Sequence, residues 1–161
     1  MAVLEILQDP AACLRAVAKP VTTFDASLEN LIADMFDTLD AAGGIGLAAP
    51  QVGQSLRVVV MNVPDGEYGR LALVNPEILR AAMPAIVEES CLSVPGLEGK
   101  VRRSLRVEVR AASPANEPRN LLLADMEAVC AQHEIDHLQG ILFRDRLPWY
   151  VRLLAGIRGK G

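Results

Sequence analysis

The two histidines of this chain stand four residues apart, in the run His133-Glu134-Ile135-Asp136-His137. Positions i and i+4 share one face of an α-helix, so both imidazoles reach a single metal ion if this segment is helical. Glu134, next to the first histidine, brings a carboxylate to the place where an activated water releases its proton. The bland alternative is an amphipathic helix carrying two unrelated histidines. A chain that places both of its histidines in this pattern is read instead as a metal-dependent hydrolase.

The 161 residues fit one domain, 1–161, and with 51% hydrophobic and 22% charged residues they bury a real core. A net charge of −4 without a basic stripe disfavours nucleic acid as a partner. The basic residues Arg152, Arg158 and Lys160 read as a solvated helix face. Met1 to Pro10 contains Glu5 and Asp9 and no basic segment before an apolar stretch, so it does not read as a signal peptide. No apolar run approaches the roughly 20 residues that span a bilayer. The expectation is a cytoplasmic protein with no membrane partner. The three cysteines are each to be read as a free thiol, a core residue or a ligand.

Pro10 and Pro20 punctuate an irregular N-terminal arm. Leu28, Leu31, Ile32, Met35, Phe36 and Leu39 then recur at helical spacing, with Asp25 or Ser27 to cap the helix and Gly43-Gly44 to stop it. The small, apolar stretch from Gly44 to Gly53 lets the backbone approach another object closely. Val-rich Leu56 to Val63 reads as a strand and Pro64-Asp65-Gly66 as a turn. Leu71 to Leu79 reads as a strand broken at Asn75-Pro76, and Ala85 to Glu89 as a short separate strand. Val101 to Arg110 alternates Leu105, Val107 and Val109 with Arg106, Glu108 and Arg110, which suits a half-solvated antiparallel strand. Leu121 to Leu123 is a strand stub. Asp125 is the expected N-cap of the histidine helix, Gly140 its stop, and Pro148 opens a short helix through Ile157. The fold class expected is α+β, with antiparallel β-sheets packed around a central metal-binding helix.

Three protein ligands plus water is the usual open catalytic site, so the histidine pair lacks one ligand. Cys13, Cys91, Cys130 and the carboxylates are the candidates. Cys130 shares a helix face with His133 but lies a turn further from His137, and reads as a core thiol. Cys13 has no polar cluster around it and reads as packing. Cys91, flanked by carboxylates, serines and Pro95-Gly96, stays open as a ligand.

Three motifs in order give the chain a resemblance to the peptide deformylases that covers nearly its whole length. They are Gly44-Ile45-Gly46-Leu47-Ala48-Ala49-Pro50-Gln51, then Glu89-Ser90-Cys91-Leu92-Ser93 with four of five positions matched, then Gln132-His133-Glu134-Ile135-Asp136-His137-Leu138. The resemblance implies one divalent ion held by Cys91, His133 and His137: Fe(II) in cells, with Zn, Ni or Co tolerated. It implies removal of the formyl group from N-formylmethionine on newly made polypeptides. A hydroxide generated at the metal would attack the formyl carbon while Glu134 acts as base and then acid. By the same resemblance the Gln51 amide and the Leu92 backbone N–H face the developing oxyanion. Gly46 and Leu47 offer backbone groups to an extended peptide. Ile45, with Val129, walls the methionine pocket, and Arg103 pairs with Glu89 or Asp136. Without the resemblance, Gln51 reads better as a structural amide tying its own loop. The implied partners are N-formylmethionyl nascent peptides, with transient ribosome association.

The chain also departs from the family pattern. Ser90 replaces a glycine, which would strain the backbone by about 1–2 kcal/mol if φ is positive there. Glu98 stands where many relatives carry a basic residue near the cleft, so an anionic peptide terminus would be repelled. Arg102 stands where a proline is common. Among competing readings, an H-E-x-x-H metalloprotease takes a further ligand downstream, and no histidine follows His137. A non-catalytic relative would have lost Gln51, Cys91 or Glu134. A deacylase for another N-acyl group is left open by Ser90 and Glu98.

Overall fold

The structure, a computed structural model, describes residues 2–156. The Val-rich run forms β2 (Val58–Asn62), whose side chains alternate between two faces. Val58 and Val60 share a buried cluster with Leu28, Ile32, Met35 and Leu39 of α1 (Ala26–Ala42). Val59 and Met61 share another with Ala128, Ala131, Ile135 and Leu138 of α2 (Asp125–Leu138). With both faces covered, β2 needs an unbroken apolar run rather than alternation. The strands form a single five-stranded antiparallel sheet in the order β1-β2-β3-β4-β5, rather than several sheets. Its other members are β1 (Gly46–Ala48), β3 (Arg70–Cys91), β4 (Val94–Ala112) and β5 (Pro118–Ala124). The class is α+β, and α2 lies against all five strands.

The sequence marks α1 well. Asp25 caps it by accepting from the Leu28 N–H (3.1 Å), and Gly43 closes it. The expected break at Asn75-Pro76 does not occur: β3 runs without interruption from Arg70 to Cys91 and contains the separate strand expected at 85–89. A register shift between Val74 and Glu77 absorbs the dipeptide as a bulge, with Asn75 at φ 51. The Asn75 side chain accepts from the Val21 N–H (2.8 Å) and donates to the Val21 carbonyl (2.9 Å), which ties the bulge to the N-terminal arm. Asp125 is not the N-cap of α2. The ladder of β5 continues through Ala124, which pairs with Arg106, and the helix begins at Asp125 itself without a side-chain cap. The C-terminal helix α3 is Trp149–Leu154. Ile157, its expected end, lies outside the described residues, as do Arg158 and Lys160.

Two ties hold α2 in place. Gln132 accepts from the Ser104 N–H (2.9 Å) and donates to the Ser104 carbonyl (2.7 Å), acting as an extra strand residue against β4. At the other end the N-terminal arm crosses the helix terminus, where the Ala18 N–H donates to the Leu138 carbonyl (2.9 Å). Gly140 lies under that arm at φ 71, and a Cβ there would sit 2.5 Å from the Arg15 carbonyl oxygen. Left-handed backbone alone costs an alanine about 1–2 kcal/mol, and the clash is with backbone that cannot rotate away. Gly140→Ala is therefore expected to lower stability by at least about 2 kcal/mol, read from the urea midpoint. An unchanged midpoint would mean the arm does not pack against the helix end in this way.

Candidate active site

The sequence places His133 and His137 one turn apart on α2, and their ring centroids lie 5.1 Å apart. Cys91 is the last residue of β3, just before the two-residue turn Leu92-Ser93 that leads into β4. That turn brings the thiol onto the helix: Cys91 Sγ lies 3.4 Å from His137 Nε2. One donor atom from each of Cys91, His133 and His137 lies within 4.8 Å of the others. Cys13 sits in a short N-terminal turn away from this cluster. Cys130 is buried in the core and its thiol donates to the Ile45 carbonyl (3.5 Å).

Two members of the cluster, Cys91 and His133, line a cavity of about 660 Å³. Gly44 to Gly46 bound it on one side, Glu88 to Leu92 on another, and Val129, His133 and Glu134 of α2 on a third. Gly46 is fixed by the closeness of α2. A Cβ there would lie 2.5 Å from Cys130 Sγ and 2.6 Å from Glu134 Oε1. The Ile45 carbonyl accepts from the Asn62 N–H (2.8 Å), so strand alternation turns the Gly46 backbone groups to the open edge of β1. Ile45, Gly46, Gln51 and Leu92 all line the cavity. Leu47 does not: it pairs with Val60 of β2, and its side chain is wholly buried on the α1 side of the sheet.

Gln51 holds its own loop, the structural role weighed for it. Its Oε1 accepts from the Ala48 N–H (2.8 Å), tying its own loop. That bond fixes the orientation of the amide, so Nε2 donates to Ser93 Oγ (3.1 Å) and faces Cys91 Sγ at 3.8 Å. Ser90 escapes the strain a replaced glycine threatened. It is an exposed β3 residue paired with Glu98, with no positive φ.

Behind the histidines lies a chain of buried charges. His133 Nδ1 bonds Glu89 Oε1 (2.6 Å). Arg103 donates to both Glu89 oxygens (2.6 and 2.9 Å) and to Asp136 Oδ2 (2.7 Å), and Arg146 grips Asp136 from outside. Arg103 thus pairs with both of its candidate partners. Burial raises the Glu89 pKa, but the bonds from Arg103 and His133 outweigh it and hold the carboxyl down at about 2. Burial depresses His133, yet its bonds to Cys91 and Glu89 bring it up to about 10; burial, and then the His133 charge, push His137 down to about 3. Glu134 is pushed up to about 7 by burial, and its Oε2 has no hydrogen-bond partner among the described residues.

Arg146 was not marked by any pattern in the sequence, and Ser93 was marked only as a member of the second motif. Glu89 had a signal, because residues two apart on a strand share a face and Glu89 therefore follows Cys91 to the helix.

A buried thiol, two converging imidazoles and a carboxylate fixing one imidazole offer a nitrogen–sulfur donor set that could hold a metal ion, with a second, unpartnered carboxylate oxygen beside it. The relatives agree. The family profile described as polypeptide deformylase matches residues 3–151. The chain is 50% identical to the peptide deformylase of Heliobacterium modesticaldum, over 91% of its own length and 95% of the relative's. It is 46% identical to that of Chromobacterium violaceum, over 91% and 88%. The crystal structure of a peptide deformylase from Legionella pneumophila superposes with a TM-score of 0.91 at 44% identity, covering 96% of this chain and 92% of that one. The chain belongs to the peptide deformylase family, and it is a hydrolase that removes the formyl group from N-formylmethionine peptides.

Proposed function

We propose that residues 1–161 form one catalytic domain in which Cys91, His133 and His137 hold a single divalent ion, Fe(II) in the cell, with Zn, Ni or Co able to replace it. The observation that carries this reading is the convergence of the three donors within 4.8 Å beside a buried Glu134. A thiolate with two imidazoles suits these metals. When bound, the ion supplies Lewis-acid activation of water, drawing its pKa from about 15.7 to about 7.

The chain's own residues do the rest. Glu134 accepts the water proton at Oε2 and returns it to the amine that leaves, and a pKa near 7 suits both halves of that exchange. Glu89 fixes the His133 ring through Nδ1. Gln51 Nε2 and the Leu92 backbone N–H stabilise the oxyanion, and losing one such donor typically slows turnover by about 10²- to 10³-fold. The outward backbone of Gly46 takes an extended N-formylmethionyl peptide by strand addition, with Ile45 and Val129 against the methionine side chain. Leu47 serves this edge from below, holding Gly46 in register through its pairing with Val60. The substrates are nascent chains met in the cytoplasm, through transient ribosome association. No helix among the described residues is long and apolar enough to cross a membrane.

Protein loaded with Fe(II) or Ni is expected to release formate from a formyl-Met-Ala-Ser peptide and no acetate from its acetyl counterpart. Cys91→Ser is expected to lose bound metal on dialysis and activity with it. Full metal occupancy with no formate released would overturn the reading, and preferential release of acetate would favour a different deacylase.

A further inference from the structure

The two groups that face the reacting carbonyl, the Gln51 amide and the Leu92 backbone N–H, come from separate elements. Gln51 sits in the helical turn Ala49–Val52 after β1, and Leu92 in the turn between β3 and β4. Ser93 joins them. It follows Leu92 directly, it is wholly buried, and its Oγ accepts from Gln51 Nε2 (3.1 Å). The Ala48 N–H alone would leave the amide free to pivot about one bond; the Ser93 bond fixes its plane as well. Nε2 carries two hydrogens. Ser93 takes one, which turns the other toward Cys91 Sγ (3.8 Å) and the cavity that Gln51 lines.

The N-terminal arm holds the same pair from behind. The Leu7 N–H donates to the Gln51 carbonyl (2.7 Å), and the Asp9 N–H donates to the Ser93 carbonyl (2.9 Å). Leu7 and Asp9 are two residues apart, the spacing at which an extended chain turns its N–H groups to one side. Gln8 between them is exposed, as that alternation requires. One short stretch of backbone therefore spans both carriers of the oxyanion donors and sets their separation. The stretch has its own anchor, the ion pair of Asp9 with Arg144 (2.7 Å).

We propose that Ser93 is a positioning residue for deformylation: it aims the Gln51 amide at the oxyanion, while the arm at Leu7 and Asp9 keeps that amide in step with the Leu92 N–H. This role rests on the oxyanion reading above and goes beyond it by naming what orients the donor. The test measures kcat, KM and metal content for metal-loaded Ser93→Ala, Gln51→Ala and the double variant, with a formyl-Met-Ala-Ser peptide as substrate.

Oxyanion charge appears only in the transition state, so Ser93→Ala is expected to lower kcat by about tenfold with KM and metal content unchanged. Gln51→Ala loses the donor itself and should fall by about 10²- to 10³-fold. The decisive comparison is Ser93→Ala in the Gln51→Ala background. With no amide left to aim, kcat should change there by less than about twofold, whereas a loosened fold would slow both backgrounds alike. Asp9→Ala, which releases the arm from Arg144, should lower kcat by about threefold at unchanged metal content. An unchanged kcat in Ser93→Ala, or an equal loss with and without Gln51, overturns the proposal. An unchanged kcat in Asp9→Ala overturns the arm's part in it. Full activity in Gln51→Ala would instead overturn the oxyanion reading beneath.

Discussion

Glu134→Gln is expected to bind its metal as the unaltered protein does and to lose about 10²- to 10⁴-fold in kcat. The amide matches the carboxylate in size, which matters here because the side chain is packed: a Cβ on Gly46 would already lie 2.9 Å from Glu134 Cγ. The substitution therefore keeps the cavity wall and the approach of α2 to β1. What it removes is the ability to accept a proton at Oε2. Stability should not fall. The native carboxylate is buried, one of its oxygens has no partner among the described residues, and burial has raised its pKa to about 7. Replacing a poorly solvated charge by a neutral amide relieves that desolvation. The discriminating set is metal content, thermal midpoint and kcat on one preparation. Turnover within about threefold of the unaltered enzyme at full metal occupancy would remove Glu134 from the proton-transfer role. Glu134→Asp keeps the proton acceptor but withdraws it by one methylene, and its activity should fall between the two.

The helix was legible because its constraint is local. Two histidines at i and i+4 reach one ion from a helix and from no other regular structure, and α2 spans both. Cys91 was not fixed by spacing, because its position depends on a strand that local rules cut in two. Asn75-Pro76 reads as a break, yet Val21, 54 residues earlier, supplies the backbone groups that let β3 pass through as a bulge and carry Cys91 to the helix. Three similar motifs supplied what spacing could not. The same non-locality hid Arg146, which meets Asp136 only after the chain beyond α2 folds back. Resemblance put Leu47 with the peptide-binding residues through its backbone; its side chain, by the register with Val60, belongs to the α1 core. Glu98 was visible only as a departure from a pattern, and its place at the cavity follows from the residue opposite it, Ser90.

Arg103→Ala is expected to destabilise the protein by about 3–5 kcal/mol and to weaken metal binding by about 10- to 100-fold. Arg103 is only 4% exposed and, among the described residues, is the sole cation on Glu89 besides the His133 ring, since Arg146 reaches Asp136 and not Glu89. Its removal leaves Asp136 with a partner and Glu89 without one that is permanently charged. A buried carboxylate in that position must take up a proton or draw in water. Either change loosens its 2.6 Å bond to His133 Nδ1, and with it the orientation of the imidazole. One change thus acts on the fold and on the site through the same oxygen. Arg103→Lys should recover only part of both losses, because a single ammonium cannot fork across two Glu89 oxygens and still reach Asp136. A double-mutant cycle with Glu89→Gln separates the pair from the packing of the arginine stem. Coupling of at least about 1 kcal/mol is expected if the carboxylate is what Arg103 supports. If Arg103→Ala unfolds within about 1 kcal/mol of the unaltered protein and holds metal as tightly, the buried ion chain is not what keeps His133 in place.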